Sequence, residues 1–154
     1  MLDERIPVGG LSSLLAPLAD WRPYPPIDDR TAWEGLPDDL RAEFVSRGEL
    51  LRGYAWPTLP ATLFLEFARV GNRSDYEHAN HLRRAALRDL VLAECVEARG
   101  RFLDDIANGI WATCEETYWG YPAHVDAQRA GSGLPDVEEP TVDLFAAETA
   151  AQLA

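Results

Sequence analysis

The chain has 154 residues and a mass of 17.1 kDa, about one domain's worth at roughly 100–200 residues per domain. Hydrophobic residues make up 47% and charged residues 26%, a balance that excludes a wholly disordered chain. The formal charge is −12 and all 14 cations are arginine, so nucleic acid and anionic membranes, which require a basic surface, are excluded as partners.

The opening residues carry Asp3 and Glu4 where a secretory signal has basic residues, and Ser12, Ser13 and Pro17 break the apolar stretch. No run reaches the roughly 18 apolar residues of a membrane span, and the expected location is cytoplasmic. Cys95 and Cys114 form no CxxC pair. This argues against a disulfide framework or structural zinc and for two buried thiols. Residues 1–36 read as an N-terminal segment and a proline-rich strap. There Pro23, Pro25 and Pro26 hold the backbone extended, with Trp21, Tyr24 and Trp33 as anchors.

Residues 37–154 read as helices. Pro37-Asp38-Asp39 suits a helix N-terminus, and the helix runs through Leu40, Phe44, Val45, Leu50 and Leu51 until Gly53 stops it. After the linker at 54–60, a short apolar helix over 61–70 ends at Gly71-Asn72. Ser74 is expected to cap the longest helix, over 75–99, with Leu87, Leu90, Val91, Cys95 and Val96 at three- and four-residue steps and Gly100 at its end. The spacing predicts the next helix over 102–119. Its rows are Phe102, Ile106, Ile110 and, beside it, Leu103, Ala107, Trp111, Cys114, Tyr118.

Residues 120–140 read as a long loop. A last helix begins after Pro140 with Asp143 in its first turn, and it stops mid-pattern, which reads as a truncated end. The fold class is therefore all-α, built of stacked antiparallel helical hairpins.

The densest group of chemistry-bearing residues lies at 108–124. A helix through it would put Asn108, Ala112, Glu115 and Trp119 on one face. A carboxylate, an amide and an indole on one ridge can grip a sugar through its hydroxyls and C–H faces. The same face also reads as a solvated surface with a partly buried tryptophan. His124 follows in a proline-and-aromatic loop, where binding residues concentrate. Glu115 and Glu116, adjacent in sequence, project about 100° apart and are not a facing acid–base pair. His78 and His81 read as a solvated helix start with no third metal ligand. Arg83, Arg84 and Arg88 read as helix-surface charges. No GxGxxG, GxxxxGK[ST] or GxSxG motif occurs, and neither metal nor cofactor is expected.

The segments Trp33-Glu34, Tyr54-Ala55-Trp56-Pro57, residues 61–67, 92–97 and 102–111, together with residues 114–119, Pro122-Ala123-His124 and residues 134–149, resemble the N-terminal part of the heparinase II/III-like polysaccharide lyase family over most of residues 20–154. The resemblance implies the first hairpins of an incomplete (α/α) toroid, followed in the family by antiparallel β-sheet domains. It implies cleavage of uronic-acid glycans, heparan-like or alginate-like, by β-elimination. In the family Asn, His and Tyr neutralise the uronate, remove its α-proton and protonate the leaving oxygen, and these lie on later elements.

By the same resemblance Trp111, Glu115, Glu116, Trp119 and His124 form the early edge of the glycan cleft, with Trp119 stacking and Glu115 accepting from hydroxyls. The implied partners are an acidic polysaccharide or oligosaccharide and the missing C-terminal toroid helices and β-sheet domains. The alternative is a non-catalytic helical module that binds a saccharide or a protein. At −12 the chain favours a weakly charged uronate polymer over a heavily sulfated one. An incomplete toroid leaves an apolar face open and is expected to self-associate.

Overall fold

The computed structural model describes residues 22–154, and the chain divides into two compact units, Met1–Gly35 and Leu36–Ala154. In the first unit, helix α1 (Arg30–Glu34) starts at Asp29, whose side chain accepts from the Ala32 amide. Trp33 is buried and its indole donates to the Pro26 carbonyl at 3.0 Å, whereas Tyr24 is exposed. Trp33 is thus an anchor and Tyr24 is not; Trp21 lies outside the described residues.

The second unit contains α2 (Asp38–Leu50), α3 (Ala61–Phe64), α4 (Glu66–Val70), α5 (Ser74–Glu97), α6 (Leu103–Cys114), a 3-10 helix (Pro122–Ala127) and α7 (Leu144–Leu153). The described residues are helical with no strand. Pro37 precedes α2, whose first turn holds Asp38 and Asp39, and Gly53 and Gly71 take left-handed conformations past their helices. The apolar helix over 61–70 is broken at Leu65 into α3 and α4. Ser74 does not cap α5. Asn72 does that work, its side-chain oxygen accepting from the Ser74 amide at 3.1 Å.

Helix α5 is the axis against which α2, α3 and α6 pack. Leu90, Ala93 and Phe102 form one buried cluster, joined by Leu51, Trp56 and Ile106; Phe64, Tyr76 and Val125 form another, joined by Leu59, Leu63 and Tyr118. Val91, expected in the stripe, is instead exposed. At its C-terminus α5 ends on Ala98, a non-glycine at φ 53°. The buried Glu94 carboxylate gathers the following turn, accepting from the Gly100 amide at 2.6 Å and the Phe102 amide at 3.2 Å.

Two glycines are set by close approach. A Cβ on Gly48 would lie 2.3 Å from the Ala93 Cβ, where α2 crosses α5, and one on Gly109 would lie 2.5 Å from the Trp56 ring. Gly48→Ala should therefore lower stability by about 1–3 kcal/mol through overpacking. Helix propensity alone would give a gain of about 1 kcal/mol, so the sign of the change in a urea melt decides the matter.

Candidate functional site

The middle of α5 faces inward with charge. Positions 80, 83, 84, 87 and 90 continue one helical stripe, so Asn80, Arg83 and Arg84 are buried along with Leu87 and Leu90. Arg83 and Arg84 are 6% and 8% exposed, which overturns their reading as surface charges. Glu116, its side chain 4% exposed, joins them. Its carboxylate takes two parallel hydrogen bonds from Arg84, at 2.8 and 2.5 Å, and lies 2.9 Å from Arg83 Nε in an ion contact without hydrogen-bond alignment. The remaining donors are spent on the backbone and α7. Arg83 bonds the Pro57 and Ala112 carbonyls at 2.6 and 2.5 Å, and Arg84 Nε bonds Thr149 Oγ1 at 3.2 Å. Gln152 returns a hydrogen bond to the Arg84 carbonyl at 2.8 Å. Asn80 lies beside the Tyr76 phenol, out of hydrogen-bond alignment.

This cluster explains where α6 stops. A helix over 102–119 is expected, yet α6 ends at Cys114, Glu115 is its cap, and Glu116 turns inward to the arginines. Trp119 folds back so that its indole N–H donates to the Thr113 carbonyl at 2.9 Å, satisfying one of the orphan acceptors of a helix end. The expected ridge of Asn108, Ala112, Glu115 and Trp119 therefore does not form. The buried side of α6 comprises Phe102, Gly109 and Thr113, with Ile106 half-buried, and the second row is uncovered, with Leu103, Trp111 and Cys114 exposed. Neither thiol is buried: Cys95 is half-buried and Cys114 is exposed.

Between the end of α6 and the start of α7 lies an open depression of about 240 Å³, lined by Cys114, Glu116, Thr117, Tyr118, Trp119, Thr141 and Ala146. Of the expected site residues, Trp119 and Glu116 meet here, Trp119 as a wall and Glu116 as a group already held by arginine. Glu115 and Trp111 do not line it and are exposed, Trp111 to 70%.

His124 sits in the 3-10 helix with Nδ1 2.6 Å from Asp143 Oδ2. A carboxylate only accepts, so His124 Nδ1 is the donor in this contact. The other Asp143 oxygen caps α7 through the Ala146 amide at 2.7 Å. Tyr121 stacks on Phe145 with ring centres 4.0 Å apart, and its hydroxyl is 2.7 Å from His81 Nε2. Burial, with Glu77 and Glu148 adding to it, pushes the Tyr121 phenol upward, so the phenol stays protonated. His78 and His81 are both exposed, as a solvated helix start requires, and His81 also contacts Tyr121. Among the described residues no cluster of three or more His, Cys, Asp or Glu is placed to hold a metal ion, and no helix is long and apolar enough to cross a membrane.

No protein-family model matches this chain, and no curated protein matches it.

Glu116→Gln should destabilise the fold by about 3–5 kcal/mol, because two guanidiniums stay buried without their counter-charge. Denaturant melts of this variant and of Arg84→Lys, which keeps a charge but loses the fork, measure it. High-pH behaviour follows from Tyr76, whose phenol is pushed up to about 12 by burial and then by Glu116. A raised phenol means that the folded state holds its proton more tightly than the unfolded chain. The contribution is therefore complete below the ordinary tyrosine value near 10 and is lost between about 10 and 12. Melts across that range should show stability falling, and the slope should flatten in Tyr76→Phe.

Proposed function

We propose that this chain is the opening helical part of a polysaccharide lyase of the heparinase II/III-like kind, and that its share of the work is to hold the glycan. The observation that carries the reading is the depression at the end of α6, where the Trp119 face and Tyr118 stand beside Thr117 and Thr141. Sugar rings present C–H faces that pack on aromatic rings and hydroxyls that need polar partners, and such a lining offers both.

Of the buried cluster only Glu116 reaches the lining, its charge neutralised by Arg83 and Arg84. His124, held by Asp143, supplies a further polar group in the same unit. The α5–α6 pair, joined through residues 98–102, is the kind of hairpin from which a toroid is assembled, and the uncovered row on α6 is a face that further hairpins would close over. β-Elimination needs a group to neutralise the uronate, a base and an acid. On this reading those groups belong to later toroid helices and β-sheet domains, so this part binds without turning over.

The exposed Leu103, Ile110 and Trp111 favour one alternative, a non-catalytic helical module whose partner is a saccharide or a protein. Titration of unsulfated hexuronate oligosaccharides into the protein, followed by calorimetry and by shifts of the tryptophan indole N–H signals, tests the reading. Saturable binding is expected, weakened about tenfold by Trp119→Ala, since an aromatic platform is worth about 0.5–1.5 kcal/mol beyond its buried area. Absence of saturable binding to any uronate oligosaccharide would remove the proposal.

A further inference from the structure

We infer that the outer side of α6 is a docking face for an amphipathic helix with a basic flank, supplied by another protein. The inference stands apart from the saccharide reading, because only Cys114 of this face touches the depression.

Helix α6 is apolar on two sides. On the inner side Gly109 lies against Trp56 and Leu87, Ile106 packs on the Leu90 cluster, and Thr113 is buried. On the outer side Leu103, Ala107, Ile110, Trp111 and Cys114 are exposed. At roughly 100° per residue these five share an arc about 100° wide. The row runs from Leu103 to Cys114, about 16 Å at 1.5 Å per residue, or three turns. A ridge of that length and spacing is what a second helix packs against with an apolar stripe of its own. Trp111, the largest side chain in the row, has among the described residues neither a ring partner nor a hydrogen bond to its indole N–H. Tryptophan is enriched among the residues that carry binding energy at protein interfaces.

The charges beside the row say what covers it. Asp104 and Glu115 lie on one flank, roughly 20–40° beyond Trp111 around the helix, one at each end of the row. Helix α6 contains no basic residue, and among the described residues neither side chain has an ion pair or a hydrogen bond. Elsewhere arginine covers helical carboxylates from four residues away, Glu43 by Arg47 and Glu77 by Arg73. Asp104 sits in the first turn of α6, where the helix dipole favours an acid. Glu115 caps the other end, where the dipole disfavours one. Folding alone gives no reason for an unpaired carboxylate at position 115, and a cation brought by a partner does.

A second copy of the chain fits this face poorly, because an antiparallel pair of α6 helices would set the same acidic flanks against each other. A helix with lysine or arginine along one edge of its apolar stripe answers both the row and its rim. Unmatched rim charge also speeds diffusional encounter, an advantage to a partner that arrives from solution.

The probes are three peptides of about 18 residues, enough for five turns. One has a leucine stripe bordered by lysines, one has glutamates in place of the lysines, and one is the lysine peptide scrambled so that the stripe is lost. Binding to the whole chain is read by calorimetry and by the rate at which a maleimide labels Cys114. The lysine peptide should bind saturably, at least about tenfold more tightly than the other two, since like charges across an interface are costly, and should slow the labelling. Trp111→Ala should weaken it about tenfold, the ordinary cost of truncating an aromatic anchor. Glu115→Gln should weaken it about two- to fivefold and flatten its salt dependence, while leaving the melting midpoint unchanged or higher, which loss of a structural contact would not do. Asp39→Asn and Glu138→Gln, which remove exposed carboxylates away from α6, should leave binding unchanged. If they weaken it as much as Glu115→Gln does, the attraction is to net charge alone and the inference fails. It fails also if the lysine and glutamate peptides bind equally, or if no peptide binds saturably. Self-association abolished by Trp111→Ala, with no binding of the lysine peptide, would give the row to a second copy and overturn the inference.

Discussion

Two guanidiniums and one carboxylate lie out of water in the middle of residues 36–154, and charge is tolerated there only when the donors and acceptors around it are met. The partners come from distant parts of the chain. Pro57 belongs to the linker before α3, Ala112 to the last turn of α6, and Thr149 and Gln152 to α7. Replacing such a group with well-packed apolar residues is often as stable or more so, so its distinctive contribution is register. Each partner must sit where a fork of fixed geometry reaches it. The end of α6, the return of Trp119 and the docking of α7 all follow from that requirement, and the depression is the space left between them.

Several helical starts and stops were legible from local chemistry. Pro37 with two acids, Gly53 and Gly71 act where short-range rules place them, because each effect is complete within one turn, whereas Asp143, expected inside the first turn of the last helix, caps it from outside. The long-range part was not legible. The stripe of Leu87 and Leu90, carried back toward the start of α5, leads to Arg84, Arg83 and Asn80. Arginines there read as exposed because nothing local reveals a carboxylate thirty-odd positions later that will neutralise them.

The same blindness lengthened α6 on paper. Residues 102–119 have helical periodicity throughout, but the demand of the buried pair for Glu116 outweighs continuation past Cys114. Thus the residues of the candidate site were named by type, while their mutual geometry was set by a contact invisible in the pattern. The overall charge of −12 likewise says little about the site. Where ion pairs are buried the local balance departs from the total, and here two guanidiniums meet one carboxylate inside a strongly acidic chain.

The turn between α5 and α6 shows a different economy. Its first left-handed position is occupied by Ala98 and its second by Gly100, and the Glu94 carboxylate collects the amides of Gly100 and Phe102. The bend is thus enforced from inside the preceding helix. Side-chain identity at Arg99 is free to drift, but the number of residues from Ala98 to Phe102 is not, since one more would carry an amide out of reach of that carboxylate and swing Phe102 away from Leu90 and Ala93. Length is the inherited quantity in this corner, and spelling is the negotiable one.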